Sequence, residues 1–174
     1  GGAGTYNPNN TDLNATYIPT AAEIAAGYVN LTLTSTTNGN CNQVTDNVLI
    51  AFTIPPSVNA GADLYACKNN ASAVLNGLVS GPTLTGMWSG GTGTFTPSGA
   101  VLNATYTPSA AEIAAGVVSL TLTSTNNGNC NQVEDYVLVN FTNAPTVNAG
   151  FDLYSCKNNA VTVLAGNVSG PTTT

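Results

Sequence analysis

The chain is a repeat of itself. Shifted by 89 positions, Gly1 falls on Gly90 and Thr85 on Thr174 without a gap, and about 59 of the 85 overlapping pairs are identical. A period near 90 residues constrains the fold more than length does, because every copy must bury the same apolar positions in the same way. A unit of that size can fold alone and matches the common dimensions of an immunoglobulin-like sandwich.

The phase of the repeat sets the expected organisation. Residues 1–54 read as the C-terminal part of one repeat, 55–143 as a complete repeat and 144–174 as the N-terminal part of the next. The joints, around Pro55-Pro56 and Pro145, carry proline, which fixes φ and cannot donate to a ladder, so one sheet ends there and another begins. Two full periods would need four more residues, the counterparts of Gly86, Met87, Trp88 and Ser89. The sequence therefore reads as a window on a longer polymer, as a subunit whose split halves complete a neighbour's fold, or as an ordinary truncation.

Within the complete repeat, period-two alternation predicts seven or so strands: 57–59 continuing at 63–66, then 71–79, 83–89, 93–96, 101–107, 117–125 and 133–142. Val118, Leu120 and Leu122 share one face, and Val137, Val139 and Phe141 share the matching face of the last strand. With Trp88 on the third strand they form the expected core. Asn127-Gly128 predicts a tight hairpin between the last two strands. The one helical segment, Ser109 to Gly116, has Ser109 as N-cap, Glu112 at N3 of a capping box and Gly116 as its stop. Thr20, Glu23 and Gly27 repeat the device. A helix this short is not stable alone, so it is expected as the crossover between the fifth and sixth strands, with Ile113 pinned to the core.

Composition removes several functions. A net charge of −6 with only Lys68 and Lys157 as cations argues against binding a phosphate backbone, so no nucleic-acid partner is expected. No apolar run reaches membrane-spanning length, so this segment is not expected to insert in a membrane. The absence of His removes Ser/His/Asp and Cys/His chemistry, and no enzymatic role is expected. The acids are scattered, and no cofactor is expected; Asp63 and Asp152, with carbonyls and Asn side chains at a joint, are the candidate calcium ligands. Gly90 to Gly93 resembles a phosphate loop but lacks the helix and lysine that complete one. Thr121, Thr123 and Thr125 form an outward hydroxyl row, read as an ordinary solvent face rather than an ice or glycan contact. Lys68 and Lys157 read as turn residues rather than isopeptide donors.

The combined pattern VNAGADLYAC, VLNG, MWSGGTGTFTPSG, LNATYTPSAAEIAAG and LTLTSTNNGNCNQVEDYVLVNF resembles a PKD-like, immunoglobulin-like repeat found in tandem in very large surface proteins of Bacteroidota. Those proteins include gliding-motility adhesins and other type IX secretion substrates. The resemblance covers the whole chain. It implies an all-β fold of tandem immunoglobulin-like sandwiches and an extracellular, cell-surface protein that acts as an adhesin or stalk rather than a catalyst. Its expected partners are neighbouring repeats and a surface glycan or substratum. The alternatives are a carbohydrate-binding β-sandwich module and an accessory repeat of a secreted enzyme.

Two Cys per repeat without His point to disulfides in an oxidising compartment rather than zinc. Cys67 follows the first strand and Cys130 precedes the last; Cys156 and Cys41 are their copies. A Cys67–Cys130 bond would close a loop of about 63 residues and contribute roughly 4 kcal/mol in a chain-entropy account. In a sandwich, however, these turns sit about 20–30 Å apart at opposite ends. The other pairing staples each cysteine to the neighbouring repeat, Cys67 to the next copy of Cys41 and Cys130 to the previous copy of Cys156.

Overall fold

The computed structural model describes residues 1–170. They form an all-β protein with two short helices, divided into one unit of residues 1–54 and a second from Pro55 onward.

The first unit holds β1 (Thr5–Asn7), β2 (Thr16–Ile18), α1 (Ala21–Ala26), β3 (Tyr28–Thr34) and β4 (Thr45–Ala51). These make two antiparallel ribbons, β1-β2 and β3-β4, with no third strand on either among the described residues. Alternation builds the ribbons, but only Val29 becomes fully buried.

The second unit contains the complete repeat. Its elements are β5 (Ser57–Asn59), β6 (Leu64–Cys67), β7 (Ala73–Val74), β8 (Leu78–Ser80), β9 (Gly86–Ser89), β10 (Thr94–Thr96), β11 (Thr105–Thr107), α2 (Ala110–Ala115), β12 (Val117–Ser124) and β13 (Glu134–Thr142). Beyond it lie β14 (Thr146–Asn148) and β15 (Asn167–Ser169), which among the described residues pair only with each other. A four-stranded sheet runs β6-β13-β12-β9, a three-stranded sheet runs β10-β11-β7, and β5 pairs with β8. The β13–β6 pairing is parallel, with Val139 opposite Leu64 and Thr142 opposite Cys67; the other pairings are antiparallel.

One core joins these sheets. Val118, Leu120 and Leu122 from β12 and Val137, Val139 and Phe141 from β13 meet Leu75, Val79, Trp88 and Tyr106. Trp88 is 2% exposed and donates its indole N–H to the Leu102 carbonyl at 3.0 Å, so its one polar atom is satisfied inside an apolar site. Gly77 lies against the Trp88 ring and Leu122, where a Cβ would clash with both.

Three sequence expectations change. The strand expected over 71–79 is divided into β7 and β8, which belong to different sheets, with Gly77 between them. The tight Asn127-Gly128 turn does not form. The last paired residues are Thr123 and Glu134, and positive φ occurs at Asn126 and Gly128, not at Asn127. The reason is register: packing of Leu122 and Val137 fixes the β12–β13 ladder, and the loop between is too long for a two-residue turn. Ser124 closes it, its Oγ accepting from Val133 N–H at 2.9 Å and its carbonyl from the Asn127 side-chain amide at 3.3 Å. Finally, Ile113 is half-buried rather than a core anchor, and α2 buries no residue; its caps hold it instead.

Candidate functional site

The most organised polar cluster surrounds Glu112 at the start of α2. Both arms of the capping box are present: Ser109 Oγ accepts from Glu112 N–H, and Glu112 Oε2 accepts from Ser109 N–H at 2.7 Å. The other carboxylate oxygen, Oε1, accepts from Thr92 N–H at 2.7 Å and from the Tyr106 hydroxyl at 2.8 Å, while that hydroxyl accepts from Gly93 N–H at 2.9 Å. The glycine-rich loop thus turns one backbone N–H to the carboxylate and the next to the hydroxyl that is bound to it. Gly91, at φ +66, is required, because a Cβ there would run into the Tyr106 hydroxyl and Glu112. Phe95 packs tilted against Tyr106, ring centroids 4.9 Å apart.

The electrostatics follow. Burial alone would raise the Glu112 carboxyl, but the Ser109 and Thr92 N–H groups and the Tyr106 hydroxyl outweigh it and hold it below the ordinary value. Burial, with the neighbouring carboxylate, pushes Tyr106 up to about 12. The first unit repeats the cluster: Glu23 accepts from Ala3 N–H and Tyr17 at 2.7 Å and from Thr20 N–H at 2.8 Å. The Thr20 N–H and Tyr17 bonds lower Glu23 to about 2. A carboxylate so completely occupied is an anchor, not a proton donor or metal ligand. Sequence reading recognised Glu112 and Glu23 as caps but missed Tyr106, Tyr17 and the loop; the signal is the repeated Gly-Gly-x-Gly, Tyr, Glu spacing.

The remaining candidates are dispersed. Asp63 accepts from Leu138 N–H at 3.0 Å and Asp135 from Ala60 N–H at 2.9 Å, each fastening the front of the repeat to β13. Asp152 is exposed. Among the described residues no three His, Cys, Asp or Glu side chains cluster as a metal site. In the threonine row, Thr125 Oγ1 donates to Thr85 Oγ1 at 2.9 Å, and Tyr136 and Glu134 lie across from Thr121 and Thr123. Lys68 N–H closes the β6–β13 ladder on the Thr142 carbonyl at 2.9 Å.

None of Cys41, Cys67, Cys130 and Cys156 is in a disulfide. Register explains why Cys67 and Cys130 do not meet. Cys67 stands opposite Thr142 at the end of β13, whereas Cys130 precedes Glu134 at its start. Glu134 and Thr142 are roughly 26 Å apart along the strand, and a disulfide needs Cα atoms within about 7 Å.

The first unit also contains a cleft of about 600 Å³. Its walls include Ala15, Tyr17, Leu31, Leu33 and Val48. Their copies in the complete repeat are Ala104, Tyr106, Leu120, Leu122 and Val137, each at most 1% exposed. The positions that close the core of the complete repeat thus line an open face in the first unit. Exposure there reaches 62% at Leu33 and 57% at Val48.

A scan against protein-family models finds no match, and a search of the curated proteins finds no significant one.

Proposed function

We propose that the chain is a structural segment of an extracellular adhesin or surface filament. Its β units are immunoglobulin-like sandwiches of the PKD-like type, placed in series to carry load and to project a distal binding region. The observation that supports this reading most is the parallel β6–β13 pairing. The chain enters the repeat beside Asp135, at the start of β13, and leaves beyond Thr142, at its end. Tension applied through the two ends then shears this ladder along its length, loading its bonds together instead of opening them singly. We assign no catalytic role: the one strongly organised carboxylate of the repeat serves its own loop and helix.

The cysteines fit the same reading. Cys67 and Cys130 mark opposite ends of the repeat, so each is placed to reach a neighbouring repeat rather than the other. Each staple joins two thiols in one S–S bond, releases two protons and passes two electrons to a thiol–disulfide oxidoreductase or dioxygen.

Single-molecule pulling on the chain tests the load-bearing reading. The complete repeat should rupture in one abrupt step and release roughly 30 nm of chain, the extended length of 89 residues at about 3.5 Å each. Gradual lengthening without a rupture peak would remove the reading. A second reading, a glycan-binding face, draws on Tyr65 and Tyr136, which are exposed on the four-stranded sheet. Glycan-array binding that disappears with Tyr136→Ala would favour it.

A further inference from the structure

The chain holds three Asn-Gly pairs: Asn38-Gly39, Asn76-Gly77 and Asn127-Gly128. Such a pair is chemically labile, because a glycine nitrogen without a side chain beside it can reach the amide carbon of the preceding asparagine. The fold treats the three pairs in two ways.

Asn76-Gly77 is clamped. The Gly77 N–H donates to the Leu102 carbonyl at 3.0 Å, and the Leu75 N–H just before it donates to the Ala104 carbonyl at 2.9 Å. A Cβ on Gly77 would lie 2.8 Å from the Trp88 ring and 2.7 Å from Leu122. The Gly77 nitrogen therefore cannot turn toward the Asn76 side chain unless the core opens.

Asn127-Gly128 is open. Gly128, at φ +60, has nothing within 4 Å of where a Cβ would project. Its N–H enters no backbone hydrogen bond among the described residues. The Asn127 amide is held by one long bond, from Nδ2 to the Ser124 carbonyl at 3.3 Å. Its Oδ1 is buried and, among the described residues, accepts no hydrogen bond. An unanswered buried acceptor is penalised, so the amide gains little by staying in place. The first unit repeats the arrangement: Asn38 Nδ2 donates to the Ser35 carbonyl at 3.3 Å, and Gly39, at φ +59, is equally unobstructed.

We infer that Asn127-Gly128 and Asn38-Gly39 are sites of deamidation in the folded protein, and that the fold shields Asn76-Gly77. The Gly128 nitrogen attacks Asn127 Cγ. The new C–N bond closes a succinimide ring, the Cγ–Nδ2 bond breaks, and ammonia leaves with the proton that the Gly128 nitrogen gives up. Water then opens the ring at either carbonyl, giving an aspartyl or an isoaspartyl link.

Either product loosens the loop that carries Cys130. The Cys130 N–H closes a turn on the Asn127 carbonyl at 3.1 Å. In the isoaspartyl form that carbonyl leaves the main chain as a free carboxylate, and the main chain gains one carbon. In the aspartyl form the Nδ2 donor is gone and a carboxylate faces the Ser124 carbonyl. Cys41 depends on Asn38 in the same way, its N–H donating to the Asn38 carbonyl at 3.0 Å.

The test is peptide mapping by mass spectrometry of the purified 174-residue chain, kept reduced at mildly alkaline pH, folded in one series and in denaturant in another. In the folded series Asn127 and Asn38 should convert at least about tenfold faster than Asn76, which reacts only through local opening of the core. In denaturant the three rates should come together. Equal rates in the folded chain, or conversion of Asn127 and Asn38 in denaturant alone, overturns the inference. Asn127→Asp reads the consequence by amide hydrogen exchange. Exchange should quicken at Cys130 and at Val133, whose N–H donates to Ser124 Oγ, while Val139 inside the β12–β13 ladder keeps its protection. Unchanged exchange at Cys130 would overturn the loosening. These rates owe nothing to applied force, so this inference and the load-bearing reading fail separately.

Discussion

The complete repeat and the half repeat at residues 1–54 share most of their sequence yet reach different ends. Both form the capped helix, both tie a Glu carboxylate to a Tyr hydroxyl and a glycine-rich loop, and both pair the two long strands in the same register. Only the complete repeat closes a core. Leu122 and Leu33 occupy equivalent sites with the same neighbours in sequence, but one is fully buried and the other mostly exposed. Caps, hairpins and the loop contacts of Glu112 all fall within 90–143, the stretch that the half repeat copies, and the half repeat keeps them. The core needs β6 to β9, drawn from a separate stretch, and the half repeat loses it. Sequence similarity therefore transmits local structure faithfully, while burial depends on which other segments are present.

Substitutions made in pairs can break or sharpen this contrast. The largest effect belongs to a residue without a copy in the half repeat: Trp88→Ala should destabilise the 55–143 core by about 3–5 kcal/mol, combining a lost ring with an unanswered Leu102 carbonyl. Denaturant unfolding measures it, and a loss under about 1 kcal/mol would deny that the two faces of the core depend on each other. Next comes Leu122→Ala, expected to cost about 3 kcal/mol. The same change at Leu33, 62% exposed, should cost within about 0.5 kcal/mol. Equal costs would mean the first unit has a closed core after all.

The Glu–Tyr clusters should differ less. Tyr106→Phe removes a hydroxyl that serves a carboxylate and a backbone N–H, at about 1.5–3 kcal/mol. Tyr17→Phe, on the wall of an open cleft, should cost less, because water can replace the hydroxyl.

The smallest effect is the pH response. Glu112 and Glu23 have carboxyls lowered by folding, so their contribution is fully present above about 4.5 and is lost as pH falls through the folded values, which for Glu23 is about 2. Tyr106 is raised, so its contribution is present below 10 and is lost as pH rises toward about 12. Melting temperature against pH should fall at both extremes. Glu112→Gln should flatten the acid limb, and an unchanged limb would show that the cluster does not couple to folding.

The sequence displayed what is periodic or local. Alternation located β12 and β13 and their inward faces, and the Ser109–Glu112 spacing located the helix and its caps. It did not display features decided elsewhere. Asn127-Gly128 carries a tight-turn signal, yet the β12–β13 ladder is set by core packing, and the loop has to follow. The run 71–79 looks like one strand, but Gly77 sits where Trp88 and Leu122 leave no room for a side chain, and the chain changes sheets there. The partnership of Glu112 with Thr92 bridges 20 residues and shows only when both copies are compared.

The parallel β6–β13 pairing has one more consequence. Because each repeat is entered at one end and left at the other, a row of them has a direction, like an arrow. A pull on such a row and a push along it then meet different faces of every unit, so its response to load has a sense as well as a size.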